Sequence, residues 1–290
     1  MQNNHRRFYR VAGITIQLDS DAPFTAHTFH SKFNLFETAG PGKDTVRVSH
    51  HFSLPDVKGK DLGKEVYRRP PWAVYRNKGW VYLGIAPTSK DKRLRRVAVF
   101  SADYNRGRLY HKDDRDFKTG TLGSLTHFST DQILLAQLLA DRQGCYLHAC
   151  GVNLRGRGLL FVGHSSAGKS TMAKMLKATA EILCDDRIIV RKCGKRFRIY
   201  GTWNNGEVPD VSAGSAPLKA VFFLEKSKEN RLVRVTDRRK ITRLLLGCLI
   251  RPLVTVEWWQ KTLALVEKLS EGVPFYLLKF DKSGKVADLL

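Results

Sequence analysis

Long apolar runs are missing from this 290-residue sequence, and none approaches the roughly twenty residues that a membrane-spanning helix requires. The N-terminus, Met1-Gln2-Asn3-Asn4-His5-Arg6-Arg7-Phe8, is basic without an apolar stretch behind it, which excludes a signal peptide and predicts a cytoplasmic protein. Cysteine is scarce. Cys145, Cys150, Cys184, Cys193 and Cys248 form no C-x-x-C pair and are odd in number, which argues against a disulfide framework and a zinc site and predicts buried, reduced thiols. No internal repeat or low-complexity linker interrupts the chain, and 42% apolar content over this length supports a substantial core.

Acidic side chains are also few, 27 against 50 Lys and Arg, for a formal charge of +23. The excess is spread over both halves, so it is not a basic tail. Local clusters stand at Lys90 to Arg96, Arg191 to Arg198 and Arg231 to Lys240. They could line a groove for an acidic protein or for nucleotide phosphates, or be solvated faces only. No zinc-finger, RNP or helix-turn-helix signature accompanies them, so no specific nucleic-acid partner is expected.

The first 128 residues read as strand-rich, and partner or substrate recognition is the role expected of them. Tyr9 to Leu18 and Thr45 to Phe52 alternate apolar and polar residues. Trp72 to Arg76 faces Trp80 to Ile85 across Asn77-Lys78-Gly79 as a hairpin, and Arg95 to Phe100 and Arg108 to His111 supply further strands. Ser129-Thr130-Asp131-Gln132 has the form of a capping box and opens an apolar helix that ends near Gly144. From there, residues 129–290 read as a second domain. Its strands are Cys145 to Leu154, Leu159 to Val162, Glu181 to Cys184, a hairpin of Arg187–Arg191 with Arg196–Tyr200, Leu218 to Glu225 and Pro274 to Phe280. Helices are expected near Asp237 to Leu249 and Leu253 to Leu269. Hairpins among these strands predict an α/β (α+β) domain with a mixed sheet and not strict βαβ alternation.

Within that domain Gly163-His164-Ser165-Ser166-Ala167-Gly168-Lys169-Ser170 fits G-x-x-x-x-G-K-S, entered from the apolar Leu159 to Val162 and left through Thr171 and a helix. Such a loop turns backbone N–H groups toward phosphates; Lys169 offers a cation to the β and γ oxygens and the Ser170 hydroxyl a ligand for Mg²⁺. The helix that follows aims its positive end at the same anion. Sixteen and seventeen residues after the lysine come Asp185 and Asp186, where a metal-side carboxylate and a proton acceptor are needed. His148, fifteen positions before Gly163, lies on the strand expected beside the loop strand.

Residues 146–187, with this histidine, loop and Asp-Asp pair, resemble the catalytic core of HPr kinase/phosphorylase. The resemblance implies a P-loop kinase related in its nucleotide site to ATP-type phosphoenolpyruvate carboxykinase. Such an enzyme uses ATP and Mg²⁺ to phosphorylate a seryl hydroxyl on a small protein, and the family forms oligomers. It assigns phosphate and metal to Lys169 and Ser170, the general-base role to Asp185, the metal side to Asp186 and a place near the transferred phosphoryl group to His148, with the division between the two aspartates left open. Gly201-Thr202-Trp203-Asn204-Asn205-Gly206-Glu207 departs from the family's glycine-rich signature for dephosphorylation, so that activity is not implied, and Glu207 is either a metal- or substrate-facing carboxylate or an exposed loop residue. The N-terminal half also differs from the family's usual one, so the acceptor, an acidic protein or peptide on charge grounds, does not transfer with the fold. A small-metabolite kinase and a nucleotide-responsive binding module with little turnover are the alternatives.

Overall fold

The computed structural model describes residues 4–85, 94–127, 131–253 and 255–290. Lys90 to Arg93 of the first basic cluster, Ser129 and Thr130 of the capping box, and Met1 to Asn3 lie outside the described residues. The chain divides into two compact units, Met1–Leu138 and Leu139–Leu290. The division falls inside a helix, ten residues beyond the boundary expected from the change of sequence texture.

The first unit is built on one sheet. Its strands are β1 (Arg6–Val11), β2 (Ile14–Ser20), β3 (Thr45–His51), β4 (Lys64–Arg69), β5 (Trp72–Arg76), β6 (Gly79–Gly84), β7 (Arg96–Ser101) and β8 (Arg106–His111). They lie in the order β1-β2-β3-β8-β7-β6-β5-β4, with β2–β3 and β3–β8 parallel and the other pairs antiparallel. The alternating stretch read as one strand from Tyr9 to Leu18 is two, because Ala12 and Gly13 both take positive φ (51° and 80°) and turn the chain into a hairpin. Tyr9, Phe24, Phe29, Phe33 and Phe117 interlock in edge and tilted contacts beneath the sheet, with the short helix α1 (Arg115–Thr119) supplying Phe117.

Helix α2 (Asp131–Asp141) leads into the second unit. Its strands are β9 (Gly144–Leu154), β10 (Arg157–Val162), β11 (Glu181–Cys184), β12 (Arg187–Cys193), β13 (Arg196–Tyr200), β14 (Ser215–Lys226), β15 (Arg231–Val235) and β16 (Phe275–Phe280), with helices α3 (Lys169–Leu176), α4 (Arg238–Gly247) and α5 (Val256–Gly272). The sheet is mixed, in the order β10-β9-β12-β13-β14-β16-β15, and β10 also pairs in parallel with β14. Together the units give an α+β protein with two large mixed sheets and few helices. Among the described residues no helix is long and apolar enough to cross a membrane.

Strand β10 shows how the second core forms. Leu159 and Phe161 pack with Met172, Ala173 and Leu176 of α3 on one face, while Leu160 and Val162 join Ile241, Leu245, Leu265 and Leu269 of α4 and α5 on the other. Side chains buried this fully contribute roughly 1.5–3 kcal/mol each. The helices start where caps allow: Asp237 accepts from the Arg239 and Lys240 N–H groups, and Thr255 accepts from Trp258 N–H. Four of the cysteines are buried as thiols; Cys193, at the end of a hairpin strand, is exposed instead.

Candidate active site

Strand β9 is long enough to serve two neighbourhoods. On one flank Gly144 to His148 pair with β12 and Gly151 to Asn153 with β11, while on the other flank Ala149 to Leu154 pair with β10. Both β10 and β11 run antiparallel to β9, one on each flank, so their ends, Val162 opposite Ala149 and Cys184 opposite Gly151, lie beside the same stretch of β9. This topology brings the loop after β10, the Asp-Asp pair after β11 and His148 together.

The loop from Gly163 to Ser170 has the tight backbone that its glycines permit. Gly168 sits at φ +104°, and a β-carbon there would meet the Phe280 ring at 2.5 Å. A β-carbon on Gly163 would stand 2.5 Å from that of Ala167. Ser166 also takes a positive φ, 68°, and the Ala167 N–H donates to the His164 carbonyl at 3.1 Å. Helix α3 begins at Lys169 with no side-chain cap, leaving first-turn N–H groups to face an anion. The buried Lys169 ammonium donates to the carbonyls of Gly163 and His164, both at 3.0 Å. Burial draws its pKa below the ordinary lysine value, opposed by the charges of Asp186 and Asp185. Ser165 and Ser166 are exposed, Ser170 and Thr171 half-buried on the first turn of α3, and the His164 ring packs beside Gly247 at the end of α4.

The two aspartates, adjacent in sequence, differ sharply in surroundings. Asp185 is 1% exposed, and its carboxylate accepts from the N–H groups of Gly206 (2.6 Å) and Val208 (3.0 Å). It is an anchor for the 201–214 loop. Asp186 is only half-buried. Its Oδ1 lies 2.8 Å from His148 Nε2, and its Oδ2 3.4 Å from Arg187 Nε. Burial alone would raise the Asp186 carboxyl, but the His148 hydrogen bond and the charges of Arg187, His148 and Lys169 outweigh it and hold the group below the usual carboxylate range.

Three partners of this pair escape a reading of the sequence. The Cys184 thiol accepts from the Asp186 and Arg187 N–H groups, each at 3.5 Å, and donates to the Asn204 carbonyl at 2.9 Å, so it fixes the turn that carries both aspartates. Gly206 lies so close that a β-carbon would approach the Asp185 carboxylate oxygens at 3.0 and 3.2 Å. Arg187 reads as the first residue of a hairpin, yet its Cα pairs across the ladder with His148. Its place directly after Asp186 was the available signal. Glu207 is an exposed loop residue, 3.5 Å from Lys174 of α3.

Among the described residues no group of three or more His, Cys, Asp and Glu side chains could hold a metal ion alone. Ser170 and Asp186 are oxygen donors of the kind Mg²⁺ takes when phosphates and water complete its shell.

A solved structure of Hpr(Ser) kinase/phosphatase from Coxiella burnetii is similar to this chain at 10% identity and a TM-score of 0.30, over 50% of this chain and 90% of that one. No curated protein matches the sequence. The family model for SynChlorMet cassette protein ScmC matches residues 125–289, which include α2, the Gly163 to Ser170 loop, the Asp-Asp pair and the C-terminal helices, and over more than half its length the chain thus belongs to the ScmC family.

Proposed function

We propose that the second unit is an ATP- and Mg²⁺-dependent phosphotransferase, an HPr-kinase-like P-loop kinase that passes the γ-phosphoryl group to a hydroxyl, that of a serine, on a protein or peptide. The family carries a different name, so the reading rests on motif and geometry. The observation that carries it is the meeting, at one sheet edge, of a G-x-x-x-x-G-K-S loop with an ionised Asp186 held by His148 and within electrostatic reach of Lys169.

Each role follows from placement. Backbone N–H groups of the loop and of the α3 start receive phosphate oxygens, for which the Lys169 ammonium exchanges its two loop carbonyls. Ser170 would hold Mg²⁺ through its hydroxyl, and the ion would supply positive charge to offset that developing on the phosphoryl oxygens. Asp186, the more accessible of the two carboxylates, accepts the proton of the attacking hydroxyl, while His148 Nε2–H and Arg187 orient it. Asp185 keeps the 201–214 loop in place and does not act on the acceptor, which reverses the division that the resemblance implies. In phosphoryl transfer such positioning and charge neutralisation supply most of the catalysis.

The test is γ-labelled ATP with Mg²⁺, purified protein and a lysate of the source organism. Label on a lysate polypeptide supports the proposal. Label confined to small molecules makes the protein a metabolite kinase, and ATP bound without transfer makes it a nucleotide-responsive binding module.

A further inference from the structure

In the first unit, β3 and β8 lie side by side with Arg47 opposite Arg106. Alternation along the strands places Arg47, Arg106 and Arg108 outward while Val46, Val48, Gly107 and Leu109 are buried. The exposed Lys78, in the β5–β6 turn, joins them around a concavity of about 520 Å³. Among the described residues none of these four cations has a side-chain hydrogen bond or an ion pair. The one carboxylate on the lining, Asp19, is already held by Arg6 at 2.6 Å and by Gln17 at 2.8 Å. The surface therefore presents four uncompensated positive charges in a hollow, a concentration that like-charge repulsion disfavours and an anionic partner relieves.

Spacing and composition select the partner. Adjacent strands stand about 4.8 Å apart and alternate residues of one strand about 6.6 Å apart. An extended polypeptide with a carboxylate at every second position repeats at that second distance, matching Arg106 and Arg108. Single-stranded nucleic acid is bound by cations together with exposed aromatic faces on which bases stack. The only aromatic ring on this lining, Phe100, is 4% exposed. We infer that this hollow over β3, β7 and β8 is a docking site for an acidic polypeptide segment in extended conformation. Docking needs no nucleotide, so it stands or falls apart from the phosphoryl-transfer reading.

The experiment is fluorescence anisotropy on the full chain without ATP, using a labelled alternating Glu-Ser peptide, its Gln-Ser analogue and a labelled oligothymidylate. The Glu-Ser peptide binds, the Gln-Ser peptide does not, and salt weakens the complex. The double reversal Arg47→Glu/Arg108→Glu weakens it by about tenfold or more, Arg106→Ala weakens it less, and Lys112→Glu, outside the hollow, leaves it unchanged. Thermal melts of each variant confirm that the fold is retained. Failure of the wild type to bind Glu-Ser, equal loss on Lys112→Glu, or tighter binding of oligothymidylate overturns the assignment.

Discussion

His148 Nε2 lies 2.8 Å from Asp186 Oδ1, and the two side chains meet because Asp186 directly precedes Arg187, which pairs with His148 across the β9–β12 ladder. The Ala149 N–H donates to the Asp186 carbonyl at 3.0 Å, so backbone and side chain both tie the acidic turn to this strand. An imidazole that donates to a carboxylate fixes the rotamer of the acid and leaves it ionised. That is the state a proton acceptor needs before a hydroxyl arrives.

Asp186→Asn removes the carboxylate proposed as proton acceptor and keeps the loop. Phosphoryl transfer falls by about 10²–10⁴-fold, the range general-base removal gives, while ATP affinity is retained. Because the carboxyl is held below the usual range, the acid limb of the pH–rate profile lies below an ordinary aspartate's. The sign for stability is the same: the contribution is present above the unfolded-state value and is lost as pH falls through the lower folded one. Labelled-phosphate transfer across pH checks both. Full transfer by the asparagine variant would remove Asp186 from its role.

Asp185→Asn behaves differently. An amide NH₂ would face one of the two N–H donors of Gly206 and Val208, leaving a buried donor unpaired at a cost of about 1–3 kcal/mol. The melting temperature drops and the 201–214 loop loses protection in hydrogen exchange. Wild-type stability together with abolished transfer would return the catalytic role to Asp185.

The first unit carries an acid-labile histidine array. His50 Nδ1 lies 3.0 Å from His111 Nε2, and His111 stacks on His127 with ring centroids 5.4 Å apart. His50 also faces Phe117 and the Leu125 carbonyl, and His127 faces Arg96 and Asp116. Burial drives His111 down to about 3 and His127 to about 4, and His50 well below its ordinary value. The unfolded chain takes up protons as pH falls through the ordinary histidine range, whereas the folded one does not. Stability is therefore lost on acidification from about pH 6.5 toward 4, by up to about 1.4 kcal/mol per pH unit for each histidine. Thermal melts show a falling midpoint over that window and a shallower fall for His111→Phe. A flat midpoint would contradict the array's protonation state.

Much of this was legible because it is local. The glycine-rich turn from Gly163 to Ser170, the Arg187–Arg191 hairpin, the helix that starts near Asp237 and the apolar β14 announce themselves within a few residues. Edge strand β4 did not, since its residues are all exposed and show no alternation. Strand β15 was hidden in what reads as a basic cluster, because arginines flank its Leu232-Val233 pair. The different fates of Asp185 and Asp186 depend on Gly206, Val208 and His148, which lie more than twenty positions away. Neighbouring identical residues carry no sign of such contacts.

The central claim, that the loop from Gly163 to Ser170 holds the phosphates of ATP with Lys169 as its cation, needs no acceptor for its test. Titration calorimetry of Mg·ATP into the wild type and Lys169→Ala, each checked by thermal melting, measures it directly. One-to-one binding that weakens by about tenfold or more in the variant is the predicted result, in line with the loss of a charge-assisted contact. Equal affinity of the two proteins, or no binding to the wild type, would contradict it.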